Sequence, residues 1–535
     1  MSRSIGYNTA KFMKASVLSL SLLVGLTSSL VQADEIDDFL RAEMLERKIP
    51  GLQLAVVKNG KIIKTASYGL ANIQDAVAVD DDTVFSINSI TKAFTGVAVM
   101  QLVEQGKLEL SAKISKYLAD LPVEWHNVTV KQLLTHTSGL PDIMNGDTGK
   151  LISNEGAKAS WELVKQRPLD FAANSQFSYN QTNYLLIGKI IDSVSGQNFI
   201  DYITQNQLRK AGMKRTEEAG FSNLHDVIAH SARRYTYYYG AGEIANVKAI
   251  DFPEFLRTAA GMSSSAKEIA TWVIALQNGE LLSKPSSIET LWTPAVLTNG
   301  KTKGFNNLLN GYALGWPVVA RHEHPAVAPS GGNRAAFFVY PEDDLSIVVL
   351  TNLMGGLPSL FIDEIAGFYI PQMKAENGFG LPPAIKTLWK SLESKGYAAP
   401  LNLEILEDIG GDTFNNSHTA SLYCGLLLPD LSKGYEQAVQ VVKELQKTHQ
   451  LKLEEDELNT WGYKLIEQKK KKQALAIFKL NTYLFPLSAN THDSLAETYW
   501  LLGDTDKAVE HYKKVLGLKP DNKYAKKQLK KLKKT

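Results

Sequence analysis

The chain has 535 residues, of which 44% are hydrophobic and 21% charged, with a formal net charge of +2. That is too long for one ordinary domain and too apolar for a disordered chain. The near-neutral balance supplies no global field for nucleic acid or an anionic membrane surface. The single cysteine, Cys424, excludes an intramolecular disulfide.

The first 33 residues stand apart. Arg3, Lys11 and Lys14 occur there, and no acidic residue precedes Asp34. The apolar run ASVLSLSLLVGL follows, and the stretch ends at Val31-Gln32-Ala33. This pattern predicts a secretory signal peptide, too short for a membrane span. Its removal shifts the formal charge from +2 to −1. The mature protein is then expected to be exported, periplasmic or secreted, with no membrane span.

Residues 34–370 mix strand and helix patterns. LQLAVVKNGKIIKTASYG reads as a hairpin, with Lys58-Asn59-Gly60 as its turn. FFVYPEDDLSIVVLTN, from Phe337 to Asn352, reads as a second hairpin turning at Pro341 to Asp344. Between them lie helical stretches TVKQLLTHTSG, NYLLIGKIIDSVSG and SAKEIATWVIALQNG, ending at Gly139, Gly196 and Gly279 near expected C-caps. An early strand pair, a helical middle and a late strand pair predict an α+β fold. One antiparallel sheet is completed by both ends and flanked by helices.

Residues 371–450 carry a weaker pattern, read as a helical linker region whose boundary is marked by Leu381-Pro382-Pro383. Residues 451–535 repeat. Ala474 and Ala508, Phe478 and Tyr512, and Pro486 and Pro520 are each 34 residues apart. That period is the tetratricopeptide signature, two helices per repeat, and predicts an all-α helical-repeat domain. Stacked repeats form a concave surface, so the tail is a candidate site for a protein partner. The final KKQLKKLKKT is read as a solvated basic helix face.

The chemistry starts in FSINSITKAFTGVAVMQLVEQGKLEL, from Phe85 to Leu110. An amphipathic helix is expected here, with Ser89 and Lys92 one turn apart on a shared face. A serine hydroxyl is a poor nucleophile until a base takes its proton. A lysine in a dry pocket loses its preference for the charged form and becomes such a base. The apolar neighbours Phe85, Ile87, Ile90, Phe94 and Val97 would bury the pair. The same spacing recurs at Ser264 and Lys267, where serines precede a helix and N-capping explains them. Read alone, Ser89 is equally a cap with a solvated lysine beside it.

S-x-x-K is the nucleophile motif of β-lactamases and penicillin-binding proteins. The stretch from Ile49-Pro50-Gly51 to Tyr117-Leu118 resembles the serine β-lactamase-like superfamily. That group includes class C β-lactamases, D,D-peptidases and related esterases and amidohydrolases. The resemblance continues through LLTHTSGLPD at Leu133–Asp142, FSYNQTNYLLIG at Phe177–Gly188 and TAAGMSSSAKEIA at Thr258–Ala270, and ends with SGGNRAAFFVYPEDDLSIVVLTN at Ser330–Asn352. It implies a β-lactamase/transpeptidase-like fold.

The resemblance also implies roles. Ser89 would be the acyl-accepting nucleophile, Lys92 its partner, and Tyr179, in Tyr179-Asn180-Gln181, the proton-shuttling phenol. Gln181 stands where the family has Asn. The third motif departs further: Pro329 occupies the place of a Lys or His, followed by Ser330 and Gly331. His322 and His324 lie upstream as candidate replacements. His136-Thr137-Ser138-Gly139 is read as a helix end and turn. Gln181, Ser330 and Gly331 would contact substrate, and the backbone N–H groups of Ser89 and Gly332 would form the oxyanion hole. In the family, the cation missing here meets the carboxylate of β-lactams.

Two functions follow as alternatives. One is a serine hydrolase that forms an acyl-enzyme on an ester, amide or D-amino-acid peptide, with a small molecule or peptide as substrate. The other is a catalytically impaired, penicillin-binding-like binding module whose helical tail recruits partners. No cofactor and no metal site are implied, since no metal-ligand spacing and no G-x-S-x-G, H-E-x-x-H or P-loop lysine occurs.

Overall fold

The computed structural model describes residues 35–374, apart from 146–149, 222–226, 237–242 and 248–252. In the C-terminal part it describes 379–380, 385, 387, 442 and 453–532, apart from 468–470. The expected signal peptide and nearly all of the expected 371–450 linker lie outside the described residues. The chain divides into two compact units, Met1–Lys374 and Ala375–Thr535.

Among the described residues, the first unit is built on a nine-stranded sheet. From one edge the strands run Val77–Ala78, Lys61–Asn72, Gly51–Lys58, Leu345–Thr351, Ala335–Tyr340, Ala326–Val327, Pro317–Val319 and Gly311–Tyr312, and Ser330–Gly331 pairs with Ala335–Tyr340. Every pairing in this sheet is antiparallel. The two hairpins expected from the sequence are both present, and they join through Leu52↔Thr351 to Lys58↔Leu345. Their turns use residues that tolerate positive φ: Asn59 and Gly60 in the first, Asp344 in the second. The two ends of the first unit therefore close one sheet.

The central strands are buried on both faces. Ala55, Val57, Phe337, Val339, Val348 and Leu350 point into the main core. Alternate residues point the other way: Tyr340 donates a 2.8 Å hydrogen bond to Asp363 on the short helix Ile362–Gly367. Helix Ala266–Gln277 covers the core face. Its Trp272 stacks on Phe94 at 4.0 Å and on Trp316 at 5.9 Å.

Helix Thr91–Glu104 departs from expectation. It is buried on every side from Thr91 to Leu102 rather than amphipathic. It runs through the middle of the helical layer, so water reaches neither face. The helix expected to end at Gly139 is also shorter, covering Val130–Leu134. Gly139 serves a close approach instead, since a Cβ there would lie 2.0 Å from the Phe171 carbonyl oxygen. Gly196 does cap its helix, Gln181–Ser195, at φ 72°. Ser265, not Ser264, is the cap of Ala266–Gln277; Ser264 lies in a short strand paired with Phe85.

Pro329 leaves a visible mark. Val327 pairs with Val339 and Ser330 with Ala336, but the ladder breaks between them. Proline has no N–H to give. Its carbonyl still accepts from Phe337 N–H at 2.9 Å, which keeps Ser330 and Gly331 against the sheet.

The second unit contains helices Glu455–Glu467, Lys471–Leu484, Ala489–Leu501, Thr505–Leu518 and Lys523–Leu532, each packed on the next. The repeated small and aromatic positions Ala474, Phe478, Ala508 and Tyr512 are all fully buried. Small residues let adjacent helices approach, and the ring one turn on fills the gap between them. In Lys523–Leu532 the buried residues are Ala525, Gln528 and Leu532, while Lys526, Lys527, Lys530 and Lys531 are exposed.

Gly96 tests the central packing. A Cβ there would lie 2.0 Å from the Leu314 carbonyl oxygen. Alanine is favoured over glycine within a helix by roughly 1 kcal/mol, but overpacking a filled core costs about 1–3 kcal/mol. Because the atom met is a backbone oxygen, the cost sits at the upper end of that range, and Gly96→Ala is expected to lower stability by about 1–2 kcal/mol net, seen as an earlier urea midpoint by near-ultraviolet circular dichroism. Unchanged or raised stability would show a looser helix contact.

Candidate active site

Ser89 lies at the entrance to the buried central helix. Strand Phe85–Ser86 pairs with Ser263–Ser264, and Ile87 N–H bonds the Met262 carbonyl at 3.0 Å. Asn88 then adopts φ +49°, a left-handed conformation that asparagine tolerates better than most residues. One 3₁₀ turn, Asn88–Ile90, leads into Thr91–Glu104. The Thr91 hydroxyl fastens this turn: it donates to the Asn88 carbonyl at 2.6 Å and accepts from Gly261 N–H and Met262 N–H at 3.2 Å each.

The glycine pair of the third motif meets that turn. A Cβ on Gly331 would lie 2.0 Å from Ile87 O and 3.0 Å from Ser89 N. Gly332 has φ +57°, and a Cβ there would press on the Asn88 side chain at 2.8 Å. Backbone excludes a larger residue at 331, and the left-handed φ favours glycine at 332. Among the described residues, neither Ser89 N–H nor Gly332 N–H donates a hydrogen bond within the protein. Two uncommitted amides thus flank a close backbone approach.

Lys92, the second residue of helix Thr91–Glu104 and three residues beyond Ser89, is 1% exposed. Its amine donates to Gln181 Oε1 at 3.1 Å and to the Ala259 carbonyl at 2.9 Å. Among the described residues no hydrogen bond joins it directly to Ser89. The faces of Tyr179 and Tyr184 lie 4.5 and 4.9 Å from Nζ. Those rings and the Asp142 carboxyl favour the charged form, but burial outweighs them and brings the pKa down to about 7. A neutral amine has two N–H donors and one lone pair. Both donors are placed, so the lone pair is the position left to take a proton.

Tyr179 stands just before the helix Gln181–Ser195, whose N-cap is Asn180. Its ring is only partly covered, yet burial of the phenolic end raises its pKa; hydrogen bonds from Ser89 and Gln181 oppose that rise. Gln181 therefore bridges the phenol and the amine. The extra methylene that distinguishes it from asparagine is taken up in reaching Lys92, so the amide oxygen is engaged inside the protein. Ser89, Lys92, Tyr179 and Gln181 form one cluster, with Ser330, Gly331 and Gly332 against the Ser89 turn.

The upstream histidines do not replace the cation missing at Pro329. His324 Nδ1 contacts Asp343 at 2.9 Å, and His322 is exposed. Asp343 belongs to the turn Pro341–Asp343, at the opposite end of Ala335–Tyr340 from Gly331.

Two residues at the site carried no assigned role in the sequence. Asp142, in the quoted LLTHTSGLPD stretch, faces Lys92. It accepts from Met144 N–H at 3.0 Å and Gln181 N–H at 3.1 Å. Burial raises its pKa, with these amides and the Lys92 charge opposing. His136, read as part of a turn, does occupy one, at φ +56°. It also brackets the tyrosine: its carbonyl accepts from Ser178 N–H at 3.0 Å, and its Nδ1 accepts from Asn180 N–H at 3.1 Å. Burial, and secondarily the Lys92 charge, holds the imidazole neutral. Its ring packs 4.4 Å from Tyr179 and 4.9 Å from Tyr312. The sequence signal for both residues was their place in that motif; their bonds reach about forty residues along the chain.

A β-lactamase family model matches residues 36–369, more than half the chain, and a tetratricopeptide-repeat model matches residues 489–522. The chain is 28% identical over 328 residues to Protein flp of Staphylococcus aureus (strain MW2), covering 60% of this chain and 63% of that protein. It is 26% identical over 288 residues to penicillin-binding protein 4* of Bacillus subtilis (strain 168), covering 51% of this chain and 61% of that one. The chain thus spans less than two thirds of the length of these relatives. The octameric penicillin-binding protein homologue from Pyrococcus abyssi shares the fold, with a TM-score of 0.52 and 24% identity over 62% of this chain and 77% of that chain. The family model over the first unit, the fold likeness and the repeat match agree with the architecture: the chain belongs to the β-lactamase family and carries a tetratricopeptide repeat near its C-terminal end.

Proposed function

We propose that this protein is a serine hydrolase that forms an acyl-enzyme on Ser89 from an ester or amide, D-amino-acid peptides included. The observation that carries the reading is the state of Lys92. It is fully buried, with its two hydrogen-bond donors placed and its pKa brought to about 7. Such an amine accepts a proton at neutral pH without help from water.

Ser89 Oγ attacks the carbonyl carbon, and its proton passes to the Lys92 amine. The carbonyl oxygen becomes an oxyanion held by Ser89 N–H and Gly332 N–H; one such donor contributes on the order of 3 kcal/mol. The intermediate collapses, the bond to the leaving atom breaks, and that atom takes a proton relayed through Tyr179. Water then repeats the sequence on the acyl-enzyme and frees Ser89. The raised pKa of Tyr179 keeps it a phenol, suited to passing a proton on rather than serving as the resting base. His136 and Asp142 are positioning residues. The basic and apolar first 33 residues support export, and the repeat unit supports a protein partner.

A fluorophosphonate probe is expected to label wild type at Ser89 and not Ser89→Ala, with ester turnover falling at least about 10³-fold in the variant. Absence of both adduct and turnover would favour the binding-module reading, to which Pro329 also points.

The pH dependence has a fixed sign. Lys92 must be neutral, so kcat/KM rises with pH through about 7 and then levels. The alkaline limb lies above the ordinary tyrosine range, because burial raises Tyr179. A profile that climbs only near pH 10 would contradict this.

Stability follows the same group. Unfolded Lys92 holds its proton up to pH 10.5, whereas the folded amine loses it near 7. The unfolded state therefore binds more protons between these values, and stability rises with pH across that window. Relative to Lys92→Met, wild type is expected to gain about 1 kcal/mol for each pH unit in that window, read from urea unfolding at pH 7.5, 8.5 and 9.5. A constant difference would show that Lys92 is not desolvated.

A further inference from the structure

An aromatic ring beside Tyr179 is left partly open to solvent. Phe305 is 43% exposed. It lies 5.0 Å from Tyr179, 5.7 Å from Phe177 and 5.8 Å from Tyr312, each measured between ring centroids. Tyr312 is buried, and Phe177 and Tyr179 are half-buried, so the cluster opens to solvent through Phe305. A scattered exposed phenylalanine needs no explanation. This one is continuous with a ring whose hydroxyl bonds Ser89.

The loop that presents Phe305 is braced. A Cβ on Gly304 would lie 2.2 Å from Leu309 O and 2.8 Å from Gly311 N, so the loop closes tightly on its own backbone. Asn306 Oδ1 accepts from Leu308 N–H at 2.9 Å and Leu309 N–H at 2.8 Å, and Asn306 N–H donates to Leu309 O at 3.3 Å. Phe305 stands between two residues held in place on either side. Its exposure is therefore built in, and an apolar group that covers it binds a surface already ordered.

We propose that Phe305, with Tyr179 and Phe177, forms a subsite for an aromatic or similarly flat apolar group on the leaving-group side of the scissile bond. The assignment rests on the acyl-enzyme reading above. The leaving atom takes its proton through Tyr179, so the leaving group departs across that residue, and Phe305 is the next ring outward. The favoured substrate is an uncharged ester or amide whose leaving alcohol or amine carries a ring on a short linker. Offset or edge-to-face packing against Phe305 supplies the recognition.

Ethyl acetate and 2-phenylethyl acetate test this directly. Both give the same acetyl-enzyme, so their kcat/KM values differ only in how the leaving alcohol is handled during acylation. Wild type is expected to favour the phenylethyl ester by about fivefold or more, and Phe305→Ala to bring that ratio close to one. An equal ratio in wild type, or a preference that survives in Phe305→Ala, overturns the subsite. A larger Phe305-dependent preference for methyl phenylacetate over methyl acetate overturns the leaving-group assignment.

A binding measurement separates this proposal from the hydrolase reading. Calorimetric titration of 2-phenylethanol into Ser89→Ala is expected to show binding that Phe305→Ala, added to that variant, weakens about fivefold or more. Phe305-dependent binding without any acylation of wild type would sustain the subsite and defeat the acyl-enzyme mechanism. Acylation with no Phe305 dependence in either experiment would do the reverse.

Discussion

Removal of water from one amine is the constraint on which the site depends. Lys92 lies within a helix that is buried on every side, and the elements around it close that space. A charge there lacks hydration, so the group gives up its proton at a pH far below the ordinary lysine value. The tyrosine rings and Asp142 resist this only in part. Much of the fold can be understood as the means of keeping that pocket dry. The paired hairpins seat a continuous sheet, and Trp272, Phe94 and Trp316 stack between sheet and helix.

The same packing sets the remaining geometry. Gly96 lets the central helix approach the Leu314 carbonyl, while Gly331 and Gly332 let the broken edge strand reach the Ser89 turn. Pro329 interrupts the strand ladder without moving those glycines, because its carbonyl still holds Phe337 N–H. Proline supplies no cation at this position yet keeps in place the backbone on which the proposed oxyanion hole depends. On the other side, His136 fastens the backbone before and after Tyr179, fixing the phenol over the amine.

Much of this was legible in the sequence. The Asn-Gly turn, the second hairpin and the 34-residue period each rest on local chemistry, and each is present where the pattern placed it. Ser89 and Lys92 were legible because three residues is a helical spacing. Tyr179 and the glycines needed the family motifs, since nothing local marks a tyrosine before a helix cap as a neighbour of Ser89 and Lys92. The central helix misled because alternation of polar and apolar residues cannot distinguish one dry face from two. Asp142 and His136 showed only their place in the LLTHTSGLPD motif and no role, because their partners are backbone amides and rings brought close by folding. Phe305 carried no signal at all, because the exposure that gives it meaning is a property of the folded loop.

The central claim concerns the proton on Lys92, and a titration reads it most directly. With ¹³C-labelled lysine incorporated, the Lys92 Cε resonance of the intact chain, assigned by its absence from Lys92→Arg, can be followed from pH 5 to 11. A midpoint near 7 is the result required by a dry, neutral amine. A midpoint near 10, the value of a lysine in water, would contradict the account and leave Ser89 without its base.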